Sequence, residues 1–426
     1  MLNIRKIIDN KEEVIARLAI KNFDGSEIIE KLINLDKQRK STISEVEGKK
    51  AELNELSKKV GQLFKEGKQN EAINIKNQTS EIKNIIKSKS ENLSEIENQI
   101  RELLLLIPNL PHKSVPKGKN SDDNEIIKEN INKIVNSEAK PHWEIANDFN
   151  IIDFELGNKI TGSGFPVFID KGAKLQRALI SFFLDEAIKN GYKEIIPPTL
   201  VNESSAYATG QLPDKEGQMY QLKEDNFYLI PTAEVPVTNI FRDIILNETD
   251  FPVKLCAYTS CFRREAGSYG RDVRGLNRLH QFEKVEIVRI EKPENSYNAL
   301  EDMVNYVESL LIKLELPYRI VKLCGGDLSF TSALTYDFEV FSEGQQKWLE
   351  VSSVSNFEDF QANRLKLRYK DNNSKKTQIA HTLNGSALAL PRILAALLEN
   401  NYKNNEIIIP PILTPYTGFE VIKISD

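Results

Sequence analysis

The chain has 426 residues, 40% of them hydrophobic and 28% charged, and a formal net charge of −5. This length suits two domains with a sizeable core, and the mild acidity argues against a dedicated basic DNA-binding domain while leaving room for a local basic stripe against RNA phosphates. There is no run of about 18 apolar residues, so no membrane-spanning helix is expected; the opening MLNIRKIIDNKEEV lacks the features of a secretory signal, and only Cys256, Cys261 and Cys324 are present, a set that argues for a reducing cytosol rather than a disulfide framework.

In chain order, the first proline is Pro108, which leaves a long stretch free of helix breakers. From about 26 to 105 it is rich in Lys, Glu, Leu and Ile. Leu53, Leu56, Val60 and Leu63 recur at coiled-coil spacing, as do Leu93, Ile96, Ile100 and Leu103. Gly67, in a polar setting between the two runs, marks a turn. Two long antiparallel helices forming an arm are predicted. Lys and Glu alternate along it, and by itself this pattern fits a solvated hairpin for dimerisation or spacing as well as a nucleic-acid contact. Residues 108–125, with Pro108, Pro111 and Pro116, read as a linker.

From 126 to 426 the grammar changes. Strands are predicted at 192–201, 226–230, 254–262, 279–290, 318–323 and 336–340, with helices at about 173–190, 296–315 and 386–400. This is an α+β pattern, an antiparallel sheet flanked by helices. No P-loop and no dinucleotide-binding glycine motif follows a strand.

Three segments carry the chemistry. In Cys261-Phe262-Arg263-Arg264-Glu265, alternation puts Arg263 and Glu265 on one face; a loop with Gly267, Gly270 and Gly275 follows, and Arg278, Phe282 and Glu286 share parity on the next strand. Arginine grips phosphate oxygens with a planar fork and does not deprotonate; a ring stacks on a purine and a carboxylate holds an amine. In Trp348-Leu349-Glu350-Val351-Ser352-Ser353, Glu350 and Ser353 are oxygen ligands suited to Mg²⁺. Strict alternation separates them, so joint ligation requires a bulge or a strand end. In Gly385-Ser386-Ala387-Leu388-Ala389-Leu390-Pro391-Arg392, small residues lead into an apolar helix. Arg392 near its first turn is disfavoured by the helix dipole, which points to an anionic partner.

Taken with the helix before Gly191-Tyr192-Lys193-Glu194-Ile195-Ile196-Pro197-Pro198, these segments resemble the three signature motifs of class II aminoacyl-tRNA synthetases. The likeness is closest to the bacterial seryl-tRNA synthetase family, which also has an N-terminal coiled-coil arm and a segment matching Thr232-Ala233-Glu234. The resemblance implies ATP-dependent activation of L-serine as an adenylate and transfer to the 3′ end of tRNA(Ser), with tRNA(Sec) an organism-dependent second acceptor. It implies ATP and Mg²⁺ as cofactors, a cytoplasmic homodimer with no membrane partner, an N-terminal tRNA-binding domain at 1–107, and a catalytic domain at 126–426. By the same resemblance Arg263 bridges the serine carboxylate and the α-phosphate, Glu265 meets the adenine amino group, Phe282 stacks on the ring, and Arg278 and Arg392 hold the outer phosphates. Glu350 and Ser353 hold Mg²⁺, Arg264, Val351 and Ser352 complete the ATP site, and Thr232, Ala233, Glu234, Glu286 and Ser386 form the serine pocket. Lys49, Lys50, Lys58 and Lys59 are arm residues available to tRNA phosphates. The family's rarer archaeal form uses zinc for serine. Here Cys256 and Cys261 are five apart on a strand run and Cys324 is distant, so no zinc is expected. The other readings are a class II synthetase for threonine, proline or glycine, or a synthetase-like paralogue that does not charge tRNA.

Overall fold

The computed structural model describes residues 1–131, 139–266, 274–372 and 376–424. Within them the chain forms two compact units: Leu2–Ala19 with Phe23–Pro108, and Asn109–Asp426 with Met1 and Ile20–Asn22.

The first unit is dominated by two long helices, α1 (Ser26–Lys65) and α2 (Gln69–Leu106). They pack along each other as the expected hairpin. Most of the buried residues are apolar: Leu32, Val46 and Leu63 on α1, and Ala72, Ile82, Ile96, Ile100 and Leu104 on α2, with Asp36, Thr42 and Thr79 as buried polar members. Leu104 rather than Leu103 is the buried residue at the end, so the last step of the seam is four and not three. Glu45 and Lys89 form an ion pair between the helices. At the tip Gly67 adopts φ +75°, a region that favours glycine, and the turn closes with Lys68 N–H donating to the Leu63 carbonyl at 3.0 Å.

The second unit is built on an eight-stranded sheet. Its strands in chain order are β1 (Glu125–Asn130), β2 (Lys193–Glu194), β3 (Val253–Phe262), β4 (Gln281–Glu291), β5 (Tyr318–Lys322), β6 (Leu334–Ser342), β7 (Lys347–Asn356) and β8 (His381–Ala389). Their spatial order is β1-β5-β6-β7-β8-β4-β3-β2. Every pairing is antiparallel except β2 with β3. The helices that matter for the site are α3 (His142–Asp148), α4 (Asp170–Lys189), α5 (Glu234–Asn239), α6 (Ser296–Lys313), α7 (Phe360–Leu365) and α8 (Leu390–Asn400). One core cluster joins them to the sheet: Leu179, Phe182 and Phe183 of α4, Met303 and Val307 of α6, and Ile393, Leu394 and Leu397 of α8 meet Val285, Ile287, Phe338 and Val354 of the strands.

Three sequence expectations change. The strand foreseen at 192–201 is interrupted; it contributes only two residues to the main sheet, and Pro197-Pro198, which lack an N–H for a ladder, separate them from Leu200–Asn202. The helix foreseen from 386 starts at Leu390, because Thr382–Ala389 pairs with β4 and β7 instead. The proline-bearing stretch at 108–125 is packed, not free. Asn109 donates its backbone N–H to the Phe330 carbonyl at 2.8 Å, and its side-chain amide to Thr331 and Phe357 carbonyls at 2.9 and 2.8 Å. Proline spacing reports the lack of a helix, and it says nothing about burial. Among the described residues no helix is long and apolar enough to cross a membrane.

Candidate active site

The end of β3, the strand β4, the bulged middle of β7 and the β8–α8 junction surround a cavity of about 600 Å³. It is lined by Thr232, Glu234, Arg263, Glu265, Arg278, Phe282, Glu286, Glu350, Val351, Ser352, Ser353, Ser386 and Arg392. Nearly all the residues singled out in the sequence thus converge, although they span 161 positions from Thr232 to Arg392 and belong to different elements.

Arg263 and Glu265 reach the cavity by a different route from the one alternation suggested. β3 ends at Phe262, and Glu265 has φ +47°, so the pair sits on an irregular segment. That segment is tied down by Arg263 N–H to the His280 carbonyl and Arg264 N–H to the Gln218 carbonyl, both at 2.9 Å. The Arg263 guanidinium lies 5.2 Å from the Phe282 ring centroid, a cation–π distance. Arg278 donates to Glu265 at 3.1 Å. The Arg264 side chain is exposed and does not line the cavity. Ala233 does not line it either; its methyl packs with Val237, Leu255, Ala257 and Val288. Gly267 and Gly270 lie outside the described residues.

Behind the arginines is a buried polar pocket. Glu286, from β4, accepts from Lys284 at 2.5 Å, from Asn384 at 2.9 Å and from Ser386 at 3.5 Å. Lys284 also donates to Thr232 Oγ1 at 2.8 Å. Glu234, at the start of α5, accepts from Gln361 of α7 at 2.5 Å, and Gln361 in turn accepts from Thr382 at 2.7 Å. Burial, with the Glu286 charge adding to it, pushes the Glu234 carboxyl up to about 7. With two carboxylates and one lysine, the pocket favours a ligand that brings a positive group.

Glu350 and Ser353 are reconciled by a bulge. The β6–β7 register runs Asp337↔Ser353, Phe338↔Ser352, then Glu339↔Glu350, so Val351 is the extra residue. Asp337 and Glu339 are two apart and share a face, and their partners Ser353 and Glu350 therefore share it too. Ser353 Oγ lies 3.4 Å from Glu350 Oε1. Asp337 is buried beside them, one of its oxygens has no hydrogen-bond partner, and burial plus the Glu350 charge push its carboxyl well up. This oxygen-rich, carboxylate-crowded face fits a hard cation that shares its remaining positions with phosphate oxygens. Among the described residues no group of three His, Cys, Asp or Glu side chains is placed to hold a metal ion alone. Cys256, Cys261 and Cys324 are free thiols buried in the fold.

On the far wall, Arg392 in the first turn of α8 donates Nε to the Asn277 carbonyl at 3.1 Å and Nη1 to the Glu350 carbonyl at 2.7 Å. Its charge is held toward the cavity by two backbone oxygens.

Two family models match the chain: the seryl-tRNA synthetase N-terminal domain over residues 1–111, and the class II tRNA synthetase core domain (G, H, P, S and T) over 218–401. The serine–tRNA ligase of Salinibacter ruber is 48% identical over 422 residues, covering 98% of each chain. That of Clostridium tetani is 45% identical over 98% of this chain and 99% of its own length. The chain belongs to the serine–tRNA ligase family. Among solved structures, the seryl-tRNA synthetase of Pyrococcus horikoshii complexed with ATP superposes with a TM-score of 0.92, at 32% identity and 99% coverage of both chains.

For a member of the serine–tRNA ligase family the sequence reading left out several cavity residues. Lys284 shares the parity of Phe282 and Glu286, so its signal was present. Asn384 shares the parity of Ser386, but it could be used only once 381–389 was recognised as a strand. Gln211, Thr331 and Asn277 also line the cavity; they come from loops whose path no local pattern predicts.

Proposed function

We infer that the chain is an ATP-dependent ligase that activates L-serine as seryl-adenylate and transfers the seryl group to the 3′ end of tRNA. The observation that carries this reading is one cavity lined by three arginines and an aromatic ring together with a buried pocket of Thr232, Glu234, Lys284 and Glu286. A triphosphate needs the former and a small zwitterionic, hydroxylated amino acid needs the latter.

In the first half-reaction a serine carboxylate oxygen attacks the α-phosphorus, a new P–O bond forms, and the bond to pyrophosphate breaks. The nucleophile is already anionic, so positioning and charge stabilisation carry the step. Arg263 would hold the serine carboxylate against the α-phosphate and neutralise the charge that grows there. Phe282 would stack on adenine, with Glu265 at its amino group, and Arg278 and Arg392 would hold the outer phosphates. Glu234 and Glu286 would receive the ammonium and Thr232 the hydroxyl. The hydroxyl contact rejects alanine, because its absence would leave buried polar atoms unpaired. Mg²⁺, bound with ATP through Glu350 and Ser353, would offset triphosphate charge. In the second half-reaction a ribose hydroxyl of tRNA attacks the adenylate carbonyl and AMP leaves.

The homodimer and the cytoplasmic setting belong to the same reading. Ile196 is 90% exposed, and Ile188 and Leu200, near it in sequence, are exposed too; exposed large apolar side chains of this kind suit a partner subunit. The first test is ATP–pyrophosphate exchange across all twenty amino acids, with charging of tRNA(Ser) in parallel. Exchange with serine alone supports the assignment; exchange with another amino acid overturns the pocket, and no exchange overturns the reaction.

A further inference from the structure

Outside the cavity, α3 places a fully buried histidine under the segment that carries Arg278. His142 Nδ1 lies 2.7 Å from Glu399 Oε1, and its Nε2 accepts the Leu276 backbone N–H at 2.8 Å. Both contacts are satisfied by the neutral ring with its hydrogen on Nδ1. Glu399, from the end of α8, also accepts from His142 N–H at 3.0 Å, Gln345 Nε2 at 2.9 Å, Gly344 N–H at 3.2 Å and the Ser342 hydroxyl. Gln345 in turn accepts from Asn277 Nδ2 at 2.8 Å. The backbone lies so close to the ring that a Cβ on Gly275 would sit 2.2 Å from His142 Nε2. Next to it, the Arg274 guanidinium is 4.8 Å from the Trp143 ring centroid. These contacts hold Leu276 and Asn277 from below, while the Asn277 carbonyl accepts from Arg392 Nε on the cavity side.

We propose that His142, Glu399 and Gln345 are positioning residues: by clamping Leu276–Asn277 they set where the Asn277 carbonyl holds the Arg392 guanidinium, and so tune ATP binding without touching the nucleotide. The proposal rests on Arg392 as a triphosphate-binding group. It separates the two substrates, because the serine pocket is built from Thr232, α5, β4, α7 and β8 and, among the described residues, shares no hydrogen bond with this cluster.

The test is ATP binding by titration calorimetry, together with the KM for ATP and for serine in pyrophosphate exchange, on the full chain. His142→Ala should weaken ATP binding about tenfold, as a displaced binding group does, and leave the serine KM within about twofold. His142→Gln, whose amide oxygen can accept from Leu276 N–H, should recover most of the loss. In an Arg392→Ala background, His142→Ala should cost less than about twofold more, since the residue it positions is gone. Equal changes in both KM values, full additivity with Arg392→Ala, or unchanged ATP binding each overturn the proposal. If His142→Ala does not fold, Gln345→Ala carries the same comparison. Wild-type ATP binding without serine-dependent exchange overturns the serine assignment alone and leaves the ATP comparison decisive; failure of the wild type to bind ATP overturns both.

Discussion

The helical hairpin and the sheet unit use the same charged residues to opposite ends. On the hairpin, Lys31 pairs with Glu27 and Lys49 with Glu52, each within a turn and open to solvent. Such pairs contribute a few tenths of a kcal/mol. In the sheet unit, Lys284 and Glu286 pair with side chains only 7% and 1% exposed, where desolvation is costly and every remaining donor and acceptor must be met. A lysine and a glutamate near each other in sequence therefore carry no functional meaning until burial is known. Water makes the hairpin a tolerant surface, and its exclusion makes the cavity a site.

If this contrast is right, the largest effect should come from one cavity charge. Arg263→Ala should lower serine-dependent exchange by about 10³-fold or more, with the melting temperature nearly unchanged; retention of exchange would break the assignment. Shortening α1 and α2 by equal lengths from the tip should do the reverse. Exchange should stay within about threefold, while charging of tRNA(Ser) falls by about 10²-fold, the loss expected when several phosphate contacts go. A parallel fall in both assays would mean that the two units are not separable.

Glu234 gives a third, pH-dependent effect. Its carboxyl is raised from 4.5 to about 7, so the native state holds a proton that the unfolded chain releases. Stability from this group is complete below about 4.5 and is lost as pH rises through about 7. Glu234→Gln should therefore melt higher than the parent at pH 8, by up to about 3 kcal/mol, and match it near pH 4. The KM for serine in the parent should rise as pH falls below 7, when neutral Glu234 no longer balances the ammonium. A Glu234→Gln advantage at low pH would contradict this sign. The smallest effect belongs to the arm tip. Gly67→Ala meets no neighbour within 4 Å but inherits φ +75°, so it should cost about 1 kcal/mol of hairpin stability, read by hydrogen exchange in α1 and α2, and leave exchange activity untouched.

What could be read from sequence follows the range of the interactions. The hairpin was legible to within a residue or two because its seam is set by spacing along one helix and its turn by one glycine. Phe282 and Glu286 were legible for the same reason, being two turns of the pleat on one strand. The α8 start was misplaced because Ser386 to Ala389 are small residues with little local preference, and pairing with β4 and β7 decides their state. Arg264 and Ala233 were assigned to the cavity with their neighbours, and the chain direction at each turns the side chain away. Gln361 and His142 had no local signal: each matters through a partner more than 120 residues away.

The extra residue at Val351 has one more consequence. Regular alternation over Glu350–Ser353 would send Glu350 and Ser353 to opposite faces of the sheet, whereas a ladder closed by removing Val351 would leave them two residues apart and on one face. The shared oxygen face needs one ladder-paired residue, Ser352, between Glu350 and Ser353, and the bulge supplies that count by leaving Val351 unpaired. Deletion of Val351 is expected to give a protein that resists heat as well as or better than its parent and keeps amino-acid-dependent exchange, since both oxygens stay on one face; a large loss of exchange would mean that the kink of the bulge also aims Glu350.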